Sequence, residues 1–357
     1  MKNILLLSLL ICTGTIQAQK VRKYSNEFMN IGVDAAAMGM ANSVVASTDN
    51  VNATYWNPAG LIHLDTKQLS LMHASYFANI AQYDYVAFAM PLDDKSAVGL
   101  SLIRFGVDDI MNTTELIDQN GNIDYNKISL FSTADYAFTA SYARALPVEG
   151  LSMGVNAKII RRVIGKFANS WGFGFDLGVQ YHTASGWKWA AMARDITTTY
   201  NMWSINKKEF EKISNAIPGQ NSELPETTEI TLPKLQLGVA RKFNFDEDFS
   251  VLTAMGVNLE FAETQALVST KGFSASPTVG LEFAYTDMVF VRGGLGNFQN
   301  TTQLDGSDKV GFQPNIGVGF QYKGIQIDYA LTDIGDQSVA LYSNVFSLKL
   351  NLDIFSR

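Results

Sequence analysis

Three histidines (His63, His73, His182) and one cysteine (Cys12) are the scarcest reactive residues in this 357-residue chain, and they bound the chemistry open to it. A serine hydrolase needs a serine, a histidine and an orienting partner at one place. Ser185 follows His182 by three residues, but no nucleophile motif surrounds it. Cys12 sits in an apolar run near the start, where a lipid anchor would want a small residue in the place of Ile11. The link at 108–132 gathers Asp108, Asp109, Glu115, Asp118 and Asp124 around Asn120-Gly121-Asn122. Its spacing does not fit the twelve-residue calcium loop, so it reads as a solvated acidic turn. The sequence therefore predicts no enzyme, no cofactor and no metal centre.

Other residues look built to hold structure. Asn57 precedes Pro58, a pairing that pushes the asparagine out of the helical region and starts a turn, and Trp56 supplies a large apolar anchor with one donor. Around them small residues and glycines dominate residues 22–64, with Asp34, Gly39 and Gly60 among them, which suits a compact segment packed against a wall. The link at 198–231 carries Trp203 and then a segment with Phe210, Ile213 and Ile217 at helical spacing, stopped by Pro218-Gly219. That pattern predicts a short amphipathic helix, either a lid or docking element or simply a cover for a mouth.

The elements that position these residues follow from period two. Trp171, Phe173, Phe175, Leu177, Val179 and Tyr181 alternate with Gly172, Gly174, Asp176, Gly178, Gln180 and His182. One face is apolar and the other small or polar, as in a strand between lipid and a lumen. Near the end Phe346, Leu348, Leu350 and Leu352 alternate with Ser347, Lys349, Asn351 and Asp353. The alternation predicts strands at 67–77, 83–92, 96–107, 133–146, 150–164, 170–183, 186–197, 232–244, 249–262, 275–286, 288–298, 312–323, 324–334 and 345–355. These are fourteen antiparallel strands of an all-β transmembrane barrel, with tight turns at one end and longer links near 108–132, 198–231, 263–274, 299–311 and 335–344. Arg104, Arg161, Asp176, Glu260, Glu282 and Asp328 fall mostly in phase with the small or polar face, which predicts that they point into the lumen.

Domain boundaries follow. Lys2 and the apolar run from Ile4, ending at Gln17-Ala18, predict a signal peptide at 1–18. A plug or hatch at 19–64 and a barrel at 65–357 remain. Taking Lys2 from the 27 basic residues leaves 26 against 34 acidic ones, a net charge of −8 that argues against nucleic acid as a partner.

The stretch with Asp34-Ala35, Met38-Gly39-Met40 and Trp56-Asn57-Pro58-Ala59-Gly60-Leu61 resembles the N-terminal signature of FadL-like outer-membrane proteins. Phe28-Met29-x-Ile31-x-x-Asp34-Ala35 resembles in particular the PorV/PorQ family of the Bacteroidota. Leu232-Pro233-Lys234, the segment Gly280-Leu281-Glu282 followed by Arg292-Gly293-Gly294, and Ile327-Asp328-Tyr329 resemble later stretches of that family. Ala36, where the family often has arginine, and Met40, where it often has a second glycine, depart from it. The resemblance implies a fourteen-stranded FadL-like barrel in the cell outer membrane. It also implies a part in type IX secretion, with a translocon or cargo bearing a C-terminal signal domain as partner. The alternative is FadL-type passage of a hydrophobic small molecule. A transporter predicts an apolar pocket between hatch and outer loops, whereas a docking protein predicts exposed aromatics such as Trp203 and Phe298.

Overall fold

Strands that are apolar on one face only must hide the other face or close upon it, and here the sheet closes on itself. The computed structural model describes residues 25–77, 79–117, 121–216, 227–302, 307–332 and 343–355. The expected signal peptide and Ile217 lie outside them.

The wall is built from β1 (Gln68–Tyr76), β2 (Ala81–Asp93), β3 (Ser96–Asn112), β4 (Ser129–Ala145), β5 (Leu151–Ile164) and β6 (Ala168–His182). It continues through β7 (Trp187–Arg194), β8 (Thr199–Ile205), β9 (Thr228–Thr231), β10 (Lys234–Asn244) and β11 (Phe249–Glu260). It ends with β12 (Val268–Thr270), β13 (Phe273–Tyr285), β14 (Val289–Thr302), β15 (Asp308–Tyr322), β16 (Ile325–Thr332) and β17 (Ser343–Asn351). All pairings are antiparallel, and β1 pairs with β17 from Gln68↔Asn351 to Ser75↔Asn344, which seals the barrel.

Seventeen segments make fourteen wall positions. Strand β6 pairs with β7 through Leu177↔Ala193 and with β8 through Phe173↔Tyr200, so β7 and β8 are one strand interrupted at 195–198. Strands β9 and β10 are likewise one strand, interrupted at Leu232-Pro233, where proline has no N–H to give the ladder. Strand β12 is a short piece in a link, paired to β13. Short turns gather at one end, the short-turn end, and the longer links at the other, the long-loop end, which also holds two short links, at 77–80 and 165–167.

The barrel is inside-out relative to a water-soluble protein. Phe173 (52%), Phe175 (50%) and Val318 (53%) are exposed on the outside, whereas Ser170, Asp176 and Gln180 are buried inside. No described helix is long and apolar enough to cross a membrane; the outward apolar faces of the strands are those of a membrane barrel.

Three sequence expectations need correction. Trp203 lies on β8, not on a link, because the seventh and eighth wall strands extend past their interruptions; it faces inward beneath Arg162, whose guanidinium is 5.2 Å from its ring. Arg104 and Arg161 point outward, unlike Asp176, Glu260, Glu282 and Asp328. Arg161 stacks over Trp171 at 4.7 Å and bonds Asn169, while Arg104 pairs with Asp84 and Asp108.

Candidate functional site

Residues 25–64 fill the short-turn half of the lumen as a plug. Its helices α1 (Ala35–Gly39) and α2 (Ala53–Trp56) are very short, joined by turns, and nearly every plug residue is buried. So small an element cannot be stable alone; it is held by contacts with the wall.

The contacts are of two kinds. Glycines facing inward leave sockets for the plug. A β-carbon at Gly178 would run into the Asn57 carboxamide, one at Gly154 into the backbone of Pro58, and one at Gly294 into Met40 and Ala41. Gly39 itself meets Gly317 backbone to backbone, its would-be β-carbon 3.0 Å from the Gly317 Cα. Gly60 is equally committed within the plug, against the carbonyl of Thr48.

Hydrogen bonds supply the second kind. Asn57 is fully buried; its Nδ2 donates to the carbonyls of Val45 (3.3 Å) and Val179 (3.2 Å), and its Oδ1 accepts from the Ala59 N–H. Pro58 then opens a 3-10 turn to His63, where its missing N–H costs nothing. Trp56 Nε1 donates to the Val33 carbonyl and Tyr55 OH to that of Met29. Asp34 sits at φ 74° and accepts from Ser347 Oγ (2.9 Å), while the Ala35 N–H donates back to Ser347. The six motif residues Asp34, Gly39, Trp56, Asn57, Pro58 and Gly60 thus all lie in the plug's own folds or at its seat.

Two buried ionic clusters flank the plug. Lys158 Nζ lies 2.6 Å from both Asp176 and Asp195, and Thr199 donates to Asp195. Asp195 stands in the β7–β8 interruption at φ 53°, so this cluster holds the interruption inward. Next to it Arg194 donates to the Tyr55 carbonyl (2.8 Å) and covers the Tyr55 ring at 4.4 Å. Across the barrel Arg292 bridges Glu282 (2.6 Å) and Asp328 (2.7 Å). Sequence phase placed Asp176, Glu282 and Asp328 inside; it gave no hint that Lys158, Arg194 and Arg292 complete them.

At the short-turn end the His63 ring of the plug stacks on His182 of the wall, 4.1 Å apart and 5° from parallel. Asp49 and Lys188 form an ion pair beside them at 3.1 Å. Burial opposes the charge on Asp49, but Lys188, with lesser help from Lys349 and His63, holds its carboxyl below the usual range. Burial pushes the His63 imidazole below its ordinary value of 6.5, against the pull of Asp49.

Above the plug, toward the long-loop end, the lumen opens into a cavity of about 890 Å³, within the range of small-molecule sites. Its floor includes Phe28, Ile31 and Trp56 of the plug, and its walls are strand side chains. The helix expected in the longest link is α3 (Lys207–Ala216); Asn206 at its start bonds the carbonyl of Phe167, and Lys166 pairs with Glu209, tying it to the β5–β6 link. Phe210 is half-buried there, and Ile213 lies in the same helix. Phe298 is half-buried beside Phe312. Asp108 pairs with Arg104 and Asp124 caps a 3-10 turn, and among the described residues no three His, Cys, Asp or Glu side chains are placed to hold a metal.

The outer wall carries a feature of its own. Asp84 lies 2.7 Å from His73 and 3.2 Å from Arg104, which also pairs with Asp108. Below this patch Leu71, Val86, Leu102, Ile327 and Phe346 line a shallow apolar groove of about 620 Å³.

A closed fourteen-stranded barrel with a small N-terminal plug is the fold of the FadL-like outer-membrane barrels. Among solved structures, the chain matches a FadL homologue from Pseudomonas aeruginosa with a TM-score of 0.53 at 13% identity, covering 89% of this chain and 98% of that one. It matches the P. putida toluene transporter TodX at 0.56 and 13%, covering 90% and 98%. The Ralstonia pickettii toluene transporter TbuX matches at 0.54 and 12%, covering 90% and 98%. No protein-family model and no curated protein sequence matches the chain.

Proposed function

We propose that this chain is exported by its N-terminal signal, resides in the outer membrane with its short-turn end toward the periplasm, and passes a small molecule through the lumen under control of the plug. The observation that carries the reading is the cavity of about 890 Å³ between plug and long-loop end, closed beneath by a plug held through noncovalent contacts alone. The toluene transporters of the same fold support it by analogy alone. Asp34, Gly39, Trp56, Asn57, Pro58 and Gly60 are the seat of the gate, and the helix with Phe210 and Ile213 flanks the mouth.

The test is solute flux into proteoliposomes with the plug locked and unlocked. A β-carbon at Gly296 would lie 3.3 Å from that of Ala41, close to the spacing a disulfide needs. Oxidised Ala41→Cys/Gly296→Cys, in a Cys12→Ser background, should block entry of phenyl β-D-glucoside or another slowly permeating solute, and reduction should restore it. Flux no faster than in empty liposomes for every solute and both redox states would overturn the reading.

A second reading is a secretion component that binds a translocon barrel or a cargo with a C-terminal signal domain, as the PorV/PorQ resemblance implies. The ionic patch of His73, Asp84, Arg104 and Asp108 on the outer wall favours it, because a charge on the lipid face costs about 2–4 kcal/mol at mid-membrane and a protein partner would relieve that cost. Affinity purification from gently solubilised outer membranes separates the two. A co-purifying large barrel lost on Arg104→Leu supports secretion, and recovery of the chain alone removes it.

A further inference from the structure

The lining of the lumen cavity is two-faced. On the side of β1 to β3 it is aromatic: Tyr76, Phe77 and Phe105 reach it, and Tyr83 links them from behind with ring centroids 6.3 Å from Tyr76 and 6.1 Å from Phe105. On the opposite side, five consecutive wall strands present uncharged polar groups: Gln236, Asn258, Thr278, Asn297, Gln313 and Asn315.

Three features narrow what such a cavity accepts. First, its charges are already engaged. Arg162 pairs with Asp135 (3.0 Å) and Glu229 (3.3 Å), and Lys234 with Glu260 (2.9 Å); Glu27 accepts from Asn30 (2.6 Å) and lies 4.0 Å from Lys234, and Arg194 is tied to Gln236 and the Tyr55 carbonyl. An ionic ligand would have to displace one of these contacts. Second, the amides keep spare capacity. Gln236 Nε2 donates to Asn258 Oδ1 (2.7 Å), but among the described residues the two N–H groups of Asn258 Nδ2 and the Thr278 hydroxyl make no hydrogen bond. A wholly apolar ligand would strip water from these groups and return nothing, and a site that offers hydrogen bonds to a hydroxyl discriminates strongly against an analogue without one. Third, the aromatic wall offers a purely polar solute nothing to gain by burial.

We infer that the cavity takes a neutral amphiphile, a molecule with an aromatic or hydrocarbon end and an uncharged hydroxyl-rich end such as a sugar. The apolar end lies against Phe105 and Phe77, and the hydroxyls lie against Asn258, Thr278 and Gln236. This rests on the lumen being the binding compartment proposed above, but it fixes the ligand class independently of how the plug moves.

The experiment is titration calorimetry of the full mature protein, in a detergent without a sugar headgroup, with three probes: phenyl β-D-glucoside, toluene and glucose. The glucoside should bind at least tenfold more tightly than either of its halves. Asn258→Leu/Thr278→Val should weaken the glucoside at least tenfold and leave toluene unchanged or tighter, whereas Phe105→Ala should weaken both. Heat-modifiable migration on gels, a mark of the closed barrel, checks that the variants fold, and Asn258→Asp serves as a second variant that keeps the volume. Toluene binding as tightly as the glucoside, or a glucoside affinity untouched by the double variant, would overturn the inference. Solute flux in liposomes combined with toluene preference would do so while leaving the transport reading intact.

Discussion

Asn57→Ala tests whether the plug is seated by the contacts described. The side chain is fully buried and makes three hydrogen bonds, two donated to carbonyls and one accepted from the Ala59 N–H. Removing it leaves that N–H buried without a partner. Val45 keeps the bond it accepts from Gln180, so the loss there is partial. An orphaned buried donor costs about 1–3 kcal/mol and a lost hydrogen bond about 1 kcal/mol, so the docked plug should lose roughly 3 kcal/mol. At about 1.4 kcal/mol per factor of ten, the released fraction rises roughly 100-fold. Ser43 gives a clean reporter, because it is buried and its hydroxyl has no partner among the described residues. In a Cys12→Ser/Ser43→Cys background, the rate of labelling by an impermeant maleimide should track the released population. Asn57→Ala should therefore label about two orders of magnitude faster, with barrel migration on gels unchanged. A rise of less than about threefold would show that the plug is not held by these bonds.

The other expectations use the same reporter or simple unfolding. Gly178→Val places methyl groups where Asn57 and Pro58 sit, so Ser43→Cys should label almost as fast as a free thiol; slow labelling would mean the socket yields. The His63 value is lowered on docking, so the released plug binds more protons than the docked one, and docking is fully favoured above about pH 6.5 and weakens as the pH falls below it. Labelling should be faster at pH 5 than at pH 7.5, and His63→Gln should flatten that dependence; His182, Asp49, Lys188 and Asp65 face the same ring and stay in place in the comparison. Lys158→Met strands the buried carboxylates of Asp176 and Asp195 and should cost about 3–5 kcal/mol in denaturant unfolding, most of it recovered when both become asparagine. No recovery would mean that the lysine stem, not its charge, matters.

What the sequence made legible follows from what period two can and cannot carry. In β6 the alternation of Phe173 and Phe175 with Gly174 and Asp176 stated both the strand and its direction of facing, because lipid and lumen impose opposite demands on adjacent residues. The plug was legible for a related reason: Asn57-Pro58 and the glycines facing it are residue types that only a close backbone approach requires. The interruptions were not. Asp195 and Thr198 reverse φ, and Asp195 is held by Lys158 from β5, two strands away, a partner that nothing local announces. Trp203 was misplaced on a link for the same reason, since the strand resumes after the break. Arg104 and Arg161 were misjudged because their phase is that of the outer face, Arg104 with Leu100 and Leu102 and Arg161 with Val155 and Ile159, where each finds an anion or an indole.

A further regularity joins the plug to the cavity. On β10, β13 and β15 the inward residue two places from a socket glycine, toward the long-loop end, is polar: Gln236 beside Gly238, Thr278 beside Gly280, Asn315 beside Gly317. Each strand thus carries a lower layer that receives plug backbone and an upper layer that faces the cavity. The lower layer tolerates almost no substitution, because any β-carbon collides with the plug, as Gly238 does with Val45 and Gly280 with Met40. The upper layer touches open space and is free to change without unseating the plug. The barrel fold persists in sequences only 12–13% identical, and in this chain the lining can change without disturbing the sockets. On this view Asn258→Leu should leave Ser43→Cys labelling unchanged even where it alters binding, whereas substitutions at Gly238 or Gly280 should raise it.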